Sequence, residues 1–227
     1  LFIRKKGRKK TGRAGCFAAS CLDEIVYKVM IRHCKVGLAV LLSLSDLPAE
    51  EIPGIDPARQ ARLEAGEHVI LEKRPDETDK TDHRFVTVAA IVAGPRKTIW
   101  EVINDKENAA TFLEGVLESK VIEREGNRIL VEQLTRVGGP RGSYRYRLWH
   151  ELTPMTKADF TYAGGELRNV LGTWWIYDGP AADRCVVVYS LHIDPGLLAP
   201  QVVVKAGMRK TMPKTIQSVA KEVAKRK

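Results

Sequence analysis

The residues that decide the fold are RCVVVYSLHIDPG at 184–196 and, after a short link, PQVVVKAGMRKTMPKTIQSVAKEVAKRK at 200–227. In the first, Val187, Tyr189, Leu191 and Ile193 alternate with Val188, Ser190 and His192, the period of a strand with two unlike faces. In the second, Val204, Met208, Met212, Ile216, Val219 and Val223 recur at three- and four-residue steps, which predicts a helix with one apolar stripe. Lys205, Arg209, Lys210, Lys214, Lys221 and Lys225 take up its remaining surface. Pro213 lies inside the pattern and favours a kink. A long helix with one greasy stripe needs a sheet to bury it.

Upstream residues supply that sheet. Leu117–Arg124, Arg128–Arg136, Ser143–Leu152, Ala158–Ala163 and Leu171–Tyr177 read as strands. They are separated in turn by Gly126-Asn127, Gly138–Gly142, Pro154-Met-Thr and Gly164-Gly165, and Gly179-Pro180 leads into the strand at 184. A first strand from Phe85 to Val92 ends at Gly94-Pro95. From Pro95 a helix presents Ile99, Trp100, Val102 and Ile103, continuing toward Phe112-Leu113 with a break near Asn104-Asp105. Earlier still, Asp56 as N-cap, Pro57 and Gly66 frame a short helix, His68–Lys73 a brief strand, and Arg74–His83 a polar loop. Alternation assigns faces. Tyr144, Tyr146 and Leu148 oppose Arg145, Arg147 and Trp149, and Phe160 and Tyr162 oppose Asp159 and Thr161. One face is apolar with phenolic hydroxyls and the other more polar, as in an antiparallel sheet covered on one side.

The formal charge of +9 is concentrated in the leader. Residues 1–29 carry 8 Lys/Arg against 2 Asp/Glu, whereas Asp46–Lys227 holds 27 basic and 26 acidic residues. A nearly neutral body argues against nucleic acid as a partner. Three of the four cysteines, Cys16, Cys21 and Cys34, also lie in the leader. Cys185 alone cannot form an internal disulfide in the body and reads as a small buried hydrophobe. No cysteine or histidine spacing suits a metal, and no cofactor motif is present.

Residues 30–45 join a short basic stretch to the apolar run Val36–Leu44, with small residues at Ser43 and Ser45. This is the layout of a secretory signal and predicts export, in a bacterial cell to the periplasm, with a cytoplasmic protein as the alternative. Residues 1–29 fit that layout poorly. They read as an extension translated upstream of Met30, or as a basic arm for anionic partners.

The order strand, helix, six-strand meander and long terminal helix resembles the START/Bet v 1-like (SRPBCC) superfamily, and within it the polyketide cyclase/dehydrase and coenzyme Q-binding branch. The likeness is carried by Pro95-x-x-x-Ile-Trp100-x-Val-Ile-x-Asp105, Phe112-Leu-Glu-Gly-Val116, Val121-x-Glu-Arg-Glu-Gly-Asn127, Gly172-Thr-Trp174, Ile193-Asp-Pro195, and Pro200 through Met212-Pro213. Where that family usually places prolines at the helix-to-strand turn, this chain has Ala109-Ala-Thr-Phe112. The resemblance implies an α+β helix-grip fold, a curved antiparallel sheet wrapped around the terminal helix. On that reading residues 46–83 are an N-terminal extension and polar loop, and 84–227 the ligand-binding domain. An apolar cavity between sheet and helix follows, and the face assignments nominate Tyr146, Leu148, Phe160, Tyr162, Trp174, Tyr189, Leu191, Met208 and Met212 as its lining. Residue by residue, ordinary core packing is the competing explanation.

No catalytic constellation stands out. His150-Glu151 and His192 are the best acid–base candidates, and alternation turns His192 away from the cavity, as a surface histidine. The first functional reading is therefore non-enzymatic carriage of a hydrophobic small molecule, a lipid or quinone, with transient contact at a membrane surface. A polyketide cyclase or aromatase is the alternative, and a nucleic-acid- or ribosome-associated protein using the basic terminal helix the second. The residues set no oligomeric state.

Overall fold

Each period-two segment becomes a strand, and neighbours in sequence become neighbours in the sheet. A computed structural model describes residues 51–77, 82, 84–136, 142–196 and 199–226. The leader, residues 1–29, and the export signal expected at 30–45 lie outside these described residues. Six strands, β3 (Val116–Glu125), β4 (Arg128–Arg136), β5 (Ser143–Thr153), β6 (Lys157–Gly165), β7 (Asn169–Asp178) and β8 (Arg184–Asp194), form an antiparallel meander. The chain then closes on itself: β2 (Val86–Ala93) pairs with β8, and β1 (Val69–Leu71) with β2. The order is β1-β2-β8-β7-β6-β5-β4-β3, and among the described residues the helices are α1 (Pro57–Glu64), α2 (Arg96–Ile103), α3 (Ala109–Phe112) and α4 (Gln201–Lys225). This is the α+β helix grip, a curved sheet around the terminal helix.

Local chemistry sets the boundaries. At α1, Asp56 accepts a hydrogen bond from the Arg59 backbone N–H at 2.7 Å, the N-cap its position predicts. Gly126 takes the positive φ (+55°) that the two-residue β3–β4 turn demands. The break expected at Asn104-Asp105 separates α2 from α3. Helix α4 continues through Pro213 despite the lost N–H donor. Register shifts at Val116/Glu118 and Val121/Glu123 in β3, and opposite Arg147/Leu148 at Ala163 of β6, add local twist where the sheet bends.

The concave face carries the larger core. Val204, Met208, Met212, Ile216, Val219 and Val223 of α4 are all buried, together with Val86, Val88 and Val92 of β2, Val187 and Ile193 of β8, and Ile99, Val102 and Ile103 of α2. Gly172 belongs to this face for want of a side chain. A Cβ there would come within 2.5 Å of Phe160 Cζ, so the phenyl ring of β6 lies across the space that β7 leaves.

The convex face departs from the one-sided sheet expected from sequence. Near β4 and β5 it is polar, with Arg147 on Glu132 at 2.9 Å and Arg145 on Glu118 at 2.7 Å. Near β1, β2, β8 and β7 it is a second core of Ile52, Leu63, Val69, Leu71, Ala89, Trp175, Val186 and Val188. The outward positions of β2, β7 and β8 are apolar enough to need a cover, and the segment 51–71 provides it. His192, expected on the surface, is only 6% exposed there. It does face away from the cavity, with its Nδ1 3.3 Å from the Arg84 carbonyl oxygen and its ring 5.9 Å from Phe85.

Leu63 is fully buried in this second core. Leu63→Ala should cost about 2–5 kcal/mol in urea unfolding, the usual toll for emptying a core leucine site. A loss below about 0.5 kcal/mol, the scale of a surface change, would mean that 51–71 lies on the sheet without being part of its cooperative unit.

Candidate ligand-binding site

Helix α4 rests on β2, β8 and α2, and the inner faces of β4, β5 and β6 curve past it. Between them lies a cavity of about 740 Å³, within the range of roughly 300–1,000 Å³ usual for small-molecule sites. Its wall is mostly apolar: Leu148, Phe160, Val170, Trp174, Leu191, Ile193, Val204, Met208 and Met212 all face it. Glu114, Arg136, Val203, Gly207 and Thr211 are lining residues that are also solvent-exposed, so the mouth lies between the N-terminal half of α4 and the start of β3 and end of β4.

Eight of the nine residues nominated from sequence stand on this wall: Tyr146, Leu148, Phe160, Trp174, Tyr189, Leu191, Met208 and Met212. Tyr162 does not. It shares the inward face of β6, opposite Leu148, but lies beside the register shift at Ala163. Its hydroxyl is held between the carbonyl oxygens of Gly165 (2.9 Å) and Leu167 (2.5 Å). The phenol ties down the β6–β7 turn and is not offered to the cavity. Alternation identifies the face of a residue but cannot foresee such a tether.

Two aromatic lining residues stiffen each other. Trp174 and Tyr189, paired across β7 and β8, stack with ring centroids 3.8 Å apart and planes 11° from parallel. Burial raises the Tyr189 phenol above its ordinary pKa, and the nearby Tyr146 phenol adds to the effect. Tyr146 is raised by burial as well, and its hydroxyl donates to Thr135 Oγ1 at 3.0 Å. Gln133, next to Thr135 on the inward side of β4, is also a wall residue. Both phenols are thus neutral hydrogen-bonding groups at physiological pH.

The two groups of greatest consequence were not among the nominated lining. His150 continues the inward series Tyr144, Tyr146, Leu148 on β5, and is buried with neither ring nitrogen hydrogen-bonded. Burial, and then the positive charge of Lys106, hold its pKa well below the ordinary value. Period-two reading alone places it on the cavity side. Lys106 lies in the link between α2 and α3, is only 6% exposed, and donates from Nζ to the Ile103 carbonyl oxygen at 2.8 Å. Burial lowers its pKa to about 7. Nothing in the local sequence sets Lys106 apart from an ordinary solvated lysine after an aspartate. Only the fold puts it inside. The remaining charged groups of the wall, Glu114 and Arg136, are at the mouth.

The family model for polyketide cyclases, dehydrases and lipid transport matches residues 92–220. No curated protein matches the chain. Among solved structures, the Zhui aromatase/cyclase of Streptomyces sp. R1128 superposes with a TM-score of 0.55 at 17% identity, covering 63% of this chain and 94% of that one. A STAR-related lipid transfer protein from Xanthomonas axonopodis gives 0.56 at 10% identity, over 69% and 92%. Human STARD10 gives 0.55 at 17% identity, over 79% and 83%. The three share the fold of this chain.

A buried lysine without a carboxylate partner makes a pH prediction. Its folded pKa, about 7, lies below its ordinary value of 10.5. Below about pH 7 both states hold the proton, and the folded state carries the full burial penalty. Between about 7 and 10.5 only the unfolded chain holds it, so this group makes stability rise with pH there. Lys106→Met should therefore stabilise the protein at about pH 6 by a few kcal/mol, about 1.4 for each pH unit of displaced titration. It should also flatten the alkaline rise in urea-unfolding free energy. Parallel pH profiles of variant and parent would show that Lys106 is solvated.

Proposed function

We propose that this chain, which belongs to the polyketide cyclase/dehydrase and lipid transport family, encloses a hydrophobic molecule and carries it unchanged. The lipids and isoprenoid quinones are the candidate cargo. The observation that carries this reading is the cavity itself: about 740 Å³ of space, walled mainly by apolar side chains. A solid core would pack the same residues against one another at crystal-like density. Here the methionines of α4 and the ring pair Trp174–Tyr189 face space instead. Methionine repacks at low cost, which suits a wall that admits more than one chain length.

Exchange with a membrane fits the surroundings of the mouth. Val202 and Val203 are 79% and 60% exposed at the start of α4, beside Arg209 and Lys210 one to two turns on. Apolar side chains flanked by basic ones suit the boundary of an anionic bilayer. The basic stretch and apolar run of residues 30–45 support placing the mature carrier outside the cytoplasm, in the periplasm. A polyketide cyclase or aromatase is the second reading. It draws support from His150 and Tyr146 inside the cavity, which could position and protonate a folded polyketide, and from the likeness to the Streptomyces aromatase/cyclase. A nucleic-acid role has less behind it, since the acidic and basic residues of 46–227 nearly balance.

Native mass spectrometry of protein purified from membrane-containing extract should detect a bound isoprenoid or acyl species. Met208→Glu should abolish that loading, yet cost less stability than Ile216→Glu. Met208 borders the void, and Ile216 of the same stripe is packed in the core away from the lining. An unaltered cargo on the Met208 variant would remove α4 from the binding wall.

A further inference from the structure

The cavity is electrically asymmetric. Along β5 its wall runs from Tyr144, half-buried near the mouth, through Tyr146 and Leu148 to His150, fully enclosed. Six residues of strand span about 20 Å at roughly 3.3 Å each. His150 is paired in the sheet with the fully buried Ile129 of β4 and with Phe160 of β6. At that closed end the link between α2 and α3 brings Lys106 onto the same wall.

Lys106 has three N–H donors when charged, and one of them is used by the Ile103 carbonyl. His150 has two ring nitrogens, and both are unused. A fold that buries a cation leaves it a counter-charge as a rule, and among the described residues the neighbouring groups supply none. Asp105, next in sequence, is taken by Arg226, the residue after α4, at 2.7 Å, outside the cavity. Glu222 of α4 is shared between Lys225 and Arg226. Glu114 is at the mouth and pairs with Lys214 at 3.5 Å. Tyr146 and Tyr189 are neutral phenols. The closed end therefore holds a cation and an imidazole whose missing partner is an anion.

We infer that Lys106 and His150 receive the acidic head of an amphiphile, a carboxylate or a phosphomonoester. The head accepts from Lys106 Nζ and from a protonated ring nitrogen of His150 at the closed end of the cavity. The acyl tail lies back along Phe160, Leu148 and Met208 toward the mouth. The inference rests on the carrier reading and narrows its cargo to anionic amphiphiles. It also fits a lysine that burial makes ready to lose its proton near neutral pH, because an anion beside it favours the charged form. Binding then takes up protons.

The test compares dodecanoate, dodecyl phosphate and methyl dodecanoate by isothermal titration calorimetry on the full chain. Dodecanoate or dodecyl phosphate should bind at least about tenfold more tightly than the ester, the scale of one charge-assisted hydrogen bond. The tighter of the two identifies the head group. Its affinity should be level below about pH 7, where Lys106 is charged, and fall by up to about tenfold per pH unit above. Calorimetry in buffers of different ionisation enthalpy should register the proton uptake. On the Lys106→Met variant both anions should bind no more tightly than the ester binds that same variant, and His150→Phe should narrow the gap in part. Equal, pH-independent affinity of the parent for all three would overturn the acidic-head assignment and leave the carrier standing. Failure of all three to bind would overturn both. The comparison on the parent protein holds whether or not either variant folds.

Discussion

Everything in this molecule follows from one geometric mismatch: a single helix cannot cover the concave side of an eight-stranded sheet that bends. Helix α4 buries its stripe on β2, β8 and α2. Each fully buried aliphatic side chain there is worth roughly 1.5–3 kcal/mol, so that attachment is strong. The register shifts in β3 and β6 add twist among the far strands, and α4 packs mainly at the other end of the sheet, on β2 and β8. The inward side chains of β4, β5 and β6 are left facing each other and α4 across space. The cavity is the remainder of a packing problem that has no solid solution with one helix. Side chains around such a space forgo dispersion contacts on one side, and an apolar occupant restores them.

The convex side resolves a different conflict. Its β4–β5 half is tiled with ion pairs, Arg145 and Arg147 with Glu118 and Glu132, each worth little in water but enough to keep that half wet. Its β2–β8–β7 half is apolar and is sealed by residues 51–71. Strands β2, β7 and β8 are thereby packed on both faces and form the rigid wall of the container, with Trp174 and Tyr189 projecting from that wall. Binding surfaces are precise when the elements behind them are fixed.

Much of this could be read from residues alone, and the failures have identifiable causes. The strands, the break after α2 and the stripe of α4 follow from periodicity, which is local information. Eight of the nine nominated wall residues follow from the same rule plus the assumption of a void. Tyr162 obeyed the rule for its face and escaped through a hydrogen bond to a turn three to five residues on. The second core is hidden from alternation because Val188 shares its face with Ser190 and His192, which read as polar, and only the cover by Ile52 and Leu63 buries that face. His150 was within reach of the alternation on β5, whereas Lys106 was not. No periodicity governs a helix-to-helix link, and its burial is decided wholly by what the rest of the chain builds around it.

Helix α4 is held unequally along its length, and this bears on how a closed container exchanges its contents. The C-terminal half packs Ile216, Val219 and Val223 into the core and is clasped to the α2–α3 link by Arg226 on Asp105. The half nearer the mouth exposes Val202, Val203 and Gly207, and its last turn lacks the donor that Pro213 cannot supply to the carbonyl of Arg209. Gly207 adds the low helix propensity of a residue without a side chain. Local opening begins where buried contacts and backbone hydrogen bonds are fewest. That is the segment bordering the mouth, while the segment near Lys106 and His150 is the best anchored. A container built this way can yield at its rim without disturbing its floor, so the polar groups at the closed end keep their geometry as the entrance widens.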